Sequence, residues 1–167
     1  MGSEMCIRDR PYTPADESAL LALNQESIES TGPLDAMRLS VLQEQGCHIT
    51  VAVSDDQVVG FLMAFNEGSD YDSPNYQWFN TRFKRFSYID RIVIGAMSRG
   101  KGTGRLFYSN LKQQAIGDGQ TWLAAEINLM PPNEYSLVFH QKPGFVEVGT
   151  QSSAGKVVSL QVCELVE

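Results

Sequence analysis

Three closely spaced glycines and two carboxylates are the residues of this chain whose types and spacing could do chemistry. Gly100, Gly102 and Gly104 follow a β-branched run that ends at Ile94, and an amphipathic helix starts at once after them. Glycines let a backbone come close to a ligand, and a helix N-terminus directs several free N–H groups at one spot, which favours phosphate. The loop therefore predicts a bound phosphorylated small molecule. Glu126 stands in the otherwise apolar stretch Trp122–Ile127, where an uncompensated carboxylate would be costly. Asp90 shares a strand face with Ile92 and Ile94. Either carboxylate could take a proton, directly or through water; the alternative for each is a structural ion pair, for instance with Arg91.

The spacing of the glycines excludes two phosphate cradles. Gly95 to Lys101 fits the start of G-x-x-x-x-G-K-[ST], but Gly102 stands where the magnesium-binding hydroxyl belongs, and Thr103 comes one residue late. A dinucleotide fingerprint beginning at Gly100 needs a glycine where Arg105 stands. Arg99, Gly102 and Gly104 form R-x-x-G-x-G without a gap. This pattern resembles the acetyl-CoA signature of the GNAT superfamily of N-acetyltransferases. Downstream, Asn133, Ser136, Phe139, His140, Gly144 and Phe145 stand in the order N-x-x-S-x-x-F-H-x-x-x-G-F. That segment resembles the family's second signature, N-x-x-A-x-x-[LF]-Y-x-x-x-G-F, at identical spacing.

The resemblance implies an α/β, GNAT-like acyl-CoA N-acyltransferase fold: a twisted mixed sheet of six to seven strands with helices on both faces. It makes acetyl-CoA the co-substrate. The pyrophosphate would lie on the loop of Arg99, Gly100, Lys101, Gly102, Thr103, Gly104 and Arg105. The pantetheine arm would pair with the backbone of Ile92, Val93 and Ile94, on a strand that splays from its neighbour, with Asn133 and Ser136 also on the cofactor. An N–H of Ile94 or a neighbour would face the oxyanion. Glu126 is the favoured general base, as a similarly placed glutamate serves in some members, and Asp90 is the second candidate. His140 takes the place of the family's tyrosine, the acid toward the leaving thiolate. An imidazole with a pKa of about 6.5 can donate that proton, cap the helix end or bond the cofactor.

Composition bounds the reading. The 167 residues, 43% of them apolar, suit one domain, placed at 10–167. Residues 1–9, MGSEMCIRD, read from their Met-Gly-Ser start as a tag or altered N-terminus, and not as a signal peptide, since no apolar core follows. Arg10, Pro11, Thr13, Pro14 and Asp16 match the family's entry R-P-x-T-P-x-D, whereas Asp9 holds a place that is usually apolar. A net charge of −7 argues against nucleic acid as partner, and no apolar run is long enough for a membrane span. Seven of the thirteen basic residues lie between Arg82 and Arg105 beside one acid, Asp90, a basic island suited to the phosphates of CoA. Cys6, Cys47 and Cys163 are widely spaced and odd in number, which fits a reducing, cytoplasmic setting. Cys47 and His48 would point to opposite strand faces, and two histidines without ligand spacing predict no metal site.

The elements that must position these groups follow from periodicity and breakers. A helix is predicted from Thr13 to about Ser30 with Leu20, Leu23 and Ser27 inward, and a second from Leu34 to Gln45. A hairpin is predicted over His48–Val53 and Val58–Phe65. Asn66 to Phe86, polar and aromatic, reads as an acceptor-side lid or wall, or as a packed Ω-loop or dimer contact. Ser87–Ile94 is the central strand and Gly104–Ile116 the helix behind it, its stripe being Leu106, Phe107, Leu111 and Ala115. Thr121–Ile127 is a parallel strand, Asn133–Gln141 a short helix, and Phe145–Gln151 with Lys156–Glu164 a closing hairpin. The function these features imply is direct acetyl transfer to a primary amine of a small molecule or peptide. The alternative is a non-catalytic acyl-CoA-binding or sensing domain, and a third reading is a longer acyl chain. Glu67, Asp70 and Asp72 hint at a cationic amine; a peptide N-terminus, a polyamine, an amino acid and an aminoglycoside all fit. The expected state is a monomer or a homodimer.

Overall fold

The computed structural model describes residues 7–130, 144–153 and 155–166. Seven strands form one sheet in the order β1-β2-β3-β4-β5-β7-β6. They are β1 (Arg8–Pro11), β2 (His48–Ser54), β3 (Gln57–Asn66), β4 (Phe86–Ile94), β5 (Trp122–Met130), β6 (Val146–Ser153) and β7 (Lys156–Glu164). The helices are α1 (Glu17–Glu26), α2 (Ile28–Thr31), α3 (Ala36–Glu44), α4 (Pro74–Asn80) and α5 (Thr103–Gly117). The sheet is mixed, because β4 and β5 run parallel while β1–β2, β2–β3, β5–β7 and β6–β7 are antiparallel. No described helix is long and apolar enough to cross a membrane. The described residues form two compact units, one within 1–64 and 91–111, the other within 65–90 and 112–167.

The first unit opens with a charge-assisted corner. Arg10 donates from Nη1 to Asp16 Oδ2 at 2.8 Å and from Nη2 to Oδ1 at 2.9 Å, while the Thr13 N–H donates to Oδ2 at 2.8 Å. These donors hold the Asp16 carboxyl at about 2, the Arg10 hydrogen bonds contributing most. A depressed carboxylate pKa stabilises the fold above the unfolded value and loses that contribution as pH falls toward the folded one. The melting temperature should therefore drop between about pH 4 and pH 2, and Asp16→Asn should flatten that part of the curve. A wild-type curve no steeper than the variant's would refute this role.

The long first helix predicted to Ser30 is instead two, broken at Ser27. The cause is Asn24, buried in what would be the apolar stripe. Its Nδ2 donates to the Gly32 carbonyl at 2.9 Å, and its Oδ1 accepts from Thr31 Oγ1 at 3.1 Å. Helix α3 begins two residues later than predicted because Asp35 is its cap, accepting from the Arg38 N–H at 2.8 Å. Asp55 and Asp56 both have positive φ, 53° and 62°, as a two-residue hairpin turn with matching twist requires. On α5, Phe107 is buried among Ala52, Leu62 and Ala64, and Leu111 packs at the edge of that cluster. Tyr108 is buried where Leu106, expected inward, is only half-buried.

In the second unit the segment expected as an acceptor-side lid or wall, or as a packed Ω-loop, contains the helix α4 and lends its aromatics to the core. Ser73 caps α4, accepting from the Tyr76 N–H, and Pro74 fills its first turn. Tyr76 and Phe79 from α4 are fully buried with Phe65, Phe86 and Tyr88. Phe65 stacks on Tyr71 at 4.1 Å with rings 11° apart, and Tyr76 meets Tyr88 edge-on at 5.4 Å. Each such ring stabilises the unit by roughly 1.5–3 kcal/mol through burial. The segment was hard to read because its apolar residues are interleaved with polar ones that serve the turns. Tyr76 Oη donates to the Asn66 carbonyl and accepts from the Ser69 N–H.

Candidate functional site

The glycine loop belongs to the first unit. At the end of β4, Gly95 N–H donates to the Val59 carbonyl at 2.8 Å, and a single 3-10 turn, Ala96–Ser98, leads to Arg99. Gly100 and Gly102 have φ of 78° and 84°, and a Cβ added at either would meet nothing within 4 Å. The backbone conformation demands glycine here, and the space beside both Cα atoms is open to a ligand. Arg99 folds back, donating from Nε to the Ile94 carbonyl at 3.1 Å and from Nη2 to Ser27 Oγ at 3.4 Å. It ties the loop to the strand end. Thr103, the first residue of α5, is buried and its Oγ1 has no hydrogen-bond partner among the described residues. A free buried hydroxyl beside the N–H groups of a helix start suits a phosphate oxygen. Lys101 and Arg105 are exposed, and Gly104 is buried within the first turn. The loop is suited to a diphosphate group.

The carboxylates belong to the second unit. The parallel ladder of β4 and β5 runs from Phe86/Trp122 to Ile89/Ala125, and both strands continue past it. Asp90 and Glu126 are the next residues on each strand, both half-buried. Tyr71 Oη donates to Asp90 Oδ1 at 2.7 Å. Tyr88 Oη donates to Glu126 Oε1, and Asn75 Nδ2 donates to Glu126 Oε2. Behind them Gln151 Nε2 donates to Asn75 Oδ1 at 2.7 Å. Burial pushes the Tyr88 hydroxyl well above its ordinary pKa, and the charges of Glu126 and Asp90 push it further. Tyr88 thus stays a neutral donor across the physiological range, and Glu126 is presented as an acceptor.

Of the residues singled out from sequence, Ile92, Val93, Ile94 and Arg99 to Arg105 lie in the first unit, and Asp90 and Glu126 in the second. Asn133, Ser136 and His140, with the short helix expected there, lie outside the described residues. Arg91, considered as an ion-pair partner for the carboxylates, donates from Nη1 to Asn24 Oδ1 at 3.0 Å. The basic island is divided by a strand. Arg82, Lys84 and Arg85 precede β4 while Arg99, Lys101 and Arg105 follow it, and the Arg82 guanidinium lies 4.3 Å from the Trp78 ring centroid. Tyr71, Asn75, Tyr88 and Gln151 were missed by sequence reasoning. Ser73-Pro74, a capping residue before a proline, was the signal that could have revealed α4 and Asn75 on it.

The sequence model of the acetyltransferase (GNAT) family matches residues 14–145. No curated protein matches the chain. Among solved structures, an N-acetyltransferase from Staphylococcus aureus Mu50 is 24% identical with a TM-score of 0.73, over 96% of this chain and 99% of that one. Ard1 from Thermoplasma volcanium is 15% identical with a TM-score of 0.76, again over 96% and 99%. The structure of yncA from Salmonella typhimurium with its cofactor acetyl-CoA is 17% identical with a TM-score of 0.71, over 96% and 95%. At these identities the likeness shows the fold.

Proposed function

The chain belongs to the acetyltransferase (GNAT) family, and from that premise we propose that it moves an acetyl group from acetyl-CoA directly to a primary amine of a small molecule or peptide. The observation that carries the reading is Glu126, a half-buried strand carboxylate that accepts from two side chains, Tyr88 and Asn75. A module that only binds acyl-CoA has no use for such a group. The open glycine loop supports the donor, as does the acetyl-CoA of yncA, a protein of the same fold.

Bound acetyl-CoA supplies an activated acyl group. The amides of Gly100 to Gly104 and the Thr103 hydroxyl hold its diphosphate, helped by the charges of Arg99, Lys101 and Arg105. The backbone of Ile92, Val93 and Ile94 pairs with its pantetheine as an added strand would. Glu126 takes the proton that frees the nitrogen lone pair, with Asp90 the second candidate for that role, either acting directly or through water. His140 supplies the proton to the departing thiol, and Asn133 and Ser136 complete the cofactor contacts. One catalytic domain over 10–167, working in the cytoplasm, completes the proposal.

Calorimetric titration with acetyl-CoA, with ATP and NAD as controls, tests the donor. Micromolar binding of acetyl-CoA alone supports the reading; folded protein that does not bind it overturns the reading. In the same experiment Gly102→Ala should weaken binding about tenfold, since an L-residue at a φ of 84° costs roughly 1–2 kcal/mol and displaces the loop amides. Thiol release with a panel of a polyamine, an amino acid, a peptide N-terminus and an aminoglycoside then identifies the acceptor class.

A further inference from the structure

The hydrogen bonds of the second unit extend beyond the carboxylate itself. Glu126 lies on β5, Asn75 on α4 and Gln151 on β6. A primary amide can present either its oxygen or its nitrogen to a neighbour, and the two choices have opposite effects on a carboxylate. Gln151 donates to Asn75 Oδ1, so the oxygen side of the Asn75 amide is taken. Its Nδ2 is then the atom that faces Glu126 Oε2. On the other oxygen, Tyr88 can only donate while it is neutral.

A second, independent observation shows that α4 and β6 are built to meet. A Cβ added at Gly149 would stand 2.6 Å from Trp78 Cζ2, so a bare backbone at that position lets α4 lie close on β6. Gly149 and Gln151 are two residues apart on β6, paired with Leu160 and Val158 of β7, and so share a face. The close approach at Gly149 is what brings the Gln151 amide within reach of Asn75.

We propose that Gln151 and Asn75 are positioning residues that act through Glu126, the Gln151 donor fixing which way the Asn75 amide faces and so keeping a donor on the carboxylate. The inference rests on the reading of Glu126 as the base for its bearing on turnover, and on geometry alone for its effect on the carboxylate. Among the described residues, Tyr88 donates to Glu126, and Asp90 and Tyr71 act on that same Tyr88 hydroxyl, each common to wild type and variants.

Gln151→Glu is the discriminating substitution, because it preserves shape while turning the donor into an acceptor. The Asn75 amide then rotates to donate to the introduced carboxylate, and its oxygen faces Glu126. The first readout is the Glu126 carboxyl titration, followed by carbon NMR of side-chain-labelled protein. Gln151→Glu and Asn75→Ala should both move it to higher pH, because a carboxylate that loses a donor holds its proton more tightly. Asn75→Ala adds no charge, so its shift reports the lost donor alone. The second readout is thiol release with the best amine of the panel, where both variants should lose about tenfold in kcat with an unchanged KM for acetyl-CoA. In a Glu126→Gln background neither should reduce kcat further, because a glutamine can rotate to suit either face of Asn75. An unmoved titration, or equal losses with and without Glu126, would overturn the proposal. Full activity of Glu126→Gln itself would refute the base assignment and leave the titration to decide the relay.

Discussion

Glu126→Gln is expected to lower turnover by about 10²–10⁴-fold, the usual worth of a positioned general base, while leaving acetyl-CoA binding unchanged. The substitution keeps the size of the side chain and its place among Tyr88 and Asn75, and removes the capacity to take a proton at neutral pH. The separation of kcat from donor affinity is the informative part, because Glu126 is not among the residues proposed to hold the donor. Calorimetry and steady-state thiol release on the same preparation would measure both. Equal losses in the two would assign Glu126 a structural role instead.

Gly60→Val is expected to destabilise the first unit by about 1–3 kcal/mol, the cost of overpacking a filled interior. A Cβ at Gly60 would lie 2.9 Å from the Val93 carbonyl oxygen, 3.4 Å from Phe107 Cε2 and 3.5 Å from the Ile94 Cα. Two of those three atoms are backbone, so no rotamer change relieves the contact. The strand must move, and it is the segment proposed to pair with pantetheine. Thermal unfolding should show a loss of roughly 2–4 °C per kcal/mol, smaller for Gly60→Ala, and calorimetry a parallel loss of acetyl-CoA affinity. A Gly60→Val protein with wild-type melting temperature would contradict this packing.

The two glycine cases show where sequence is readable and where it is not. Gly100 and Gly102 announce themselves by local spacing, because the reason for them is a positive φ at each residue. Gly60 does not, because the reason for it is Val93, thirty-three residues further along the chain. The same division runs through the helices. Thr13 and Pro14 are local devices, and the helical region opens on them as the spacing predicts, with Asp16 accepting from the Thr13 N–H. The break at Ser27 depends on Asn24 bonding Gly32 and Arg91, and Arg91 lies far outside any local window of sequence.

For the site, the chain alone determined its family, the run and direction of β4, the loop and α5, and the two carboxylates worth testing. All of these rest on residues adjacent in sequence, whose backbone chemistry is set by their own side chains. Only the tertiary structure decided what surrounds the carboxylates. Tyr88, Asn75 and Gln151 come from three separate elements, and Tyr71 reaches Asp90 from a segment that reads as loop. Those neighbours are chosen by packing of α4 on the sheet, and packing is a property of surfaces that meet only after the chain has folded.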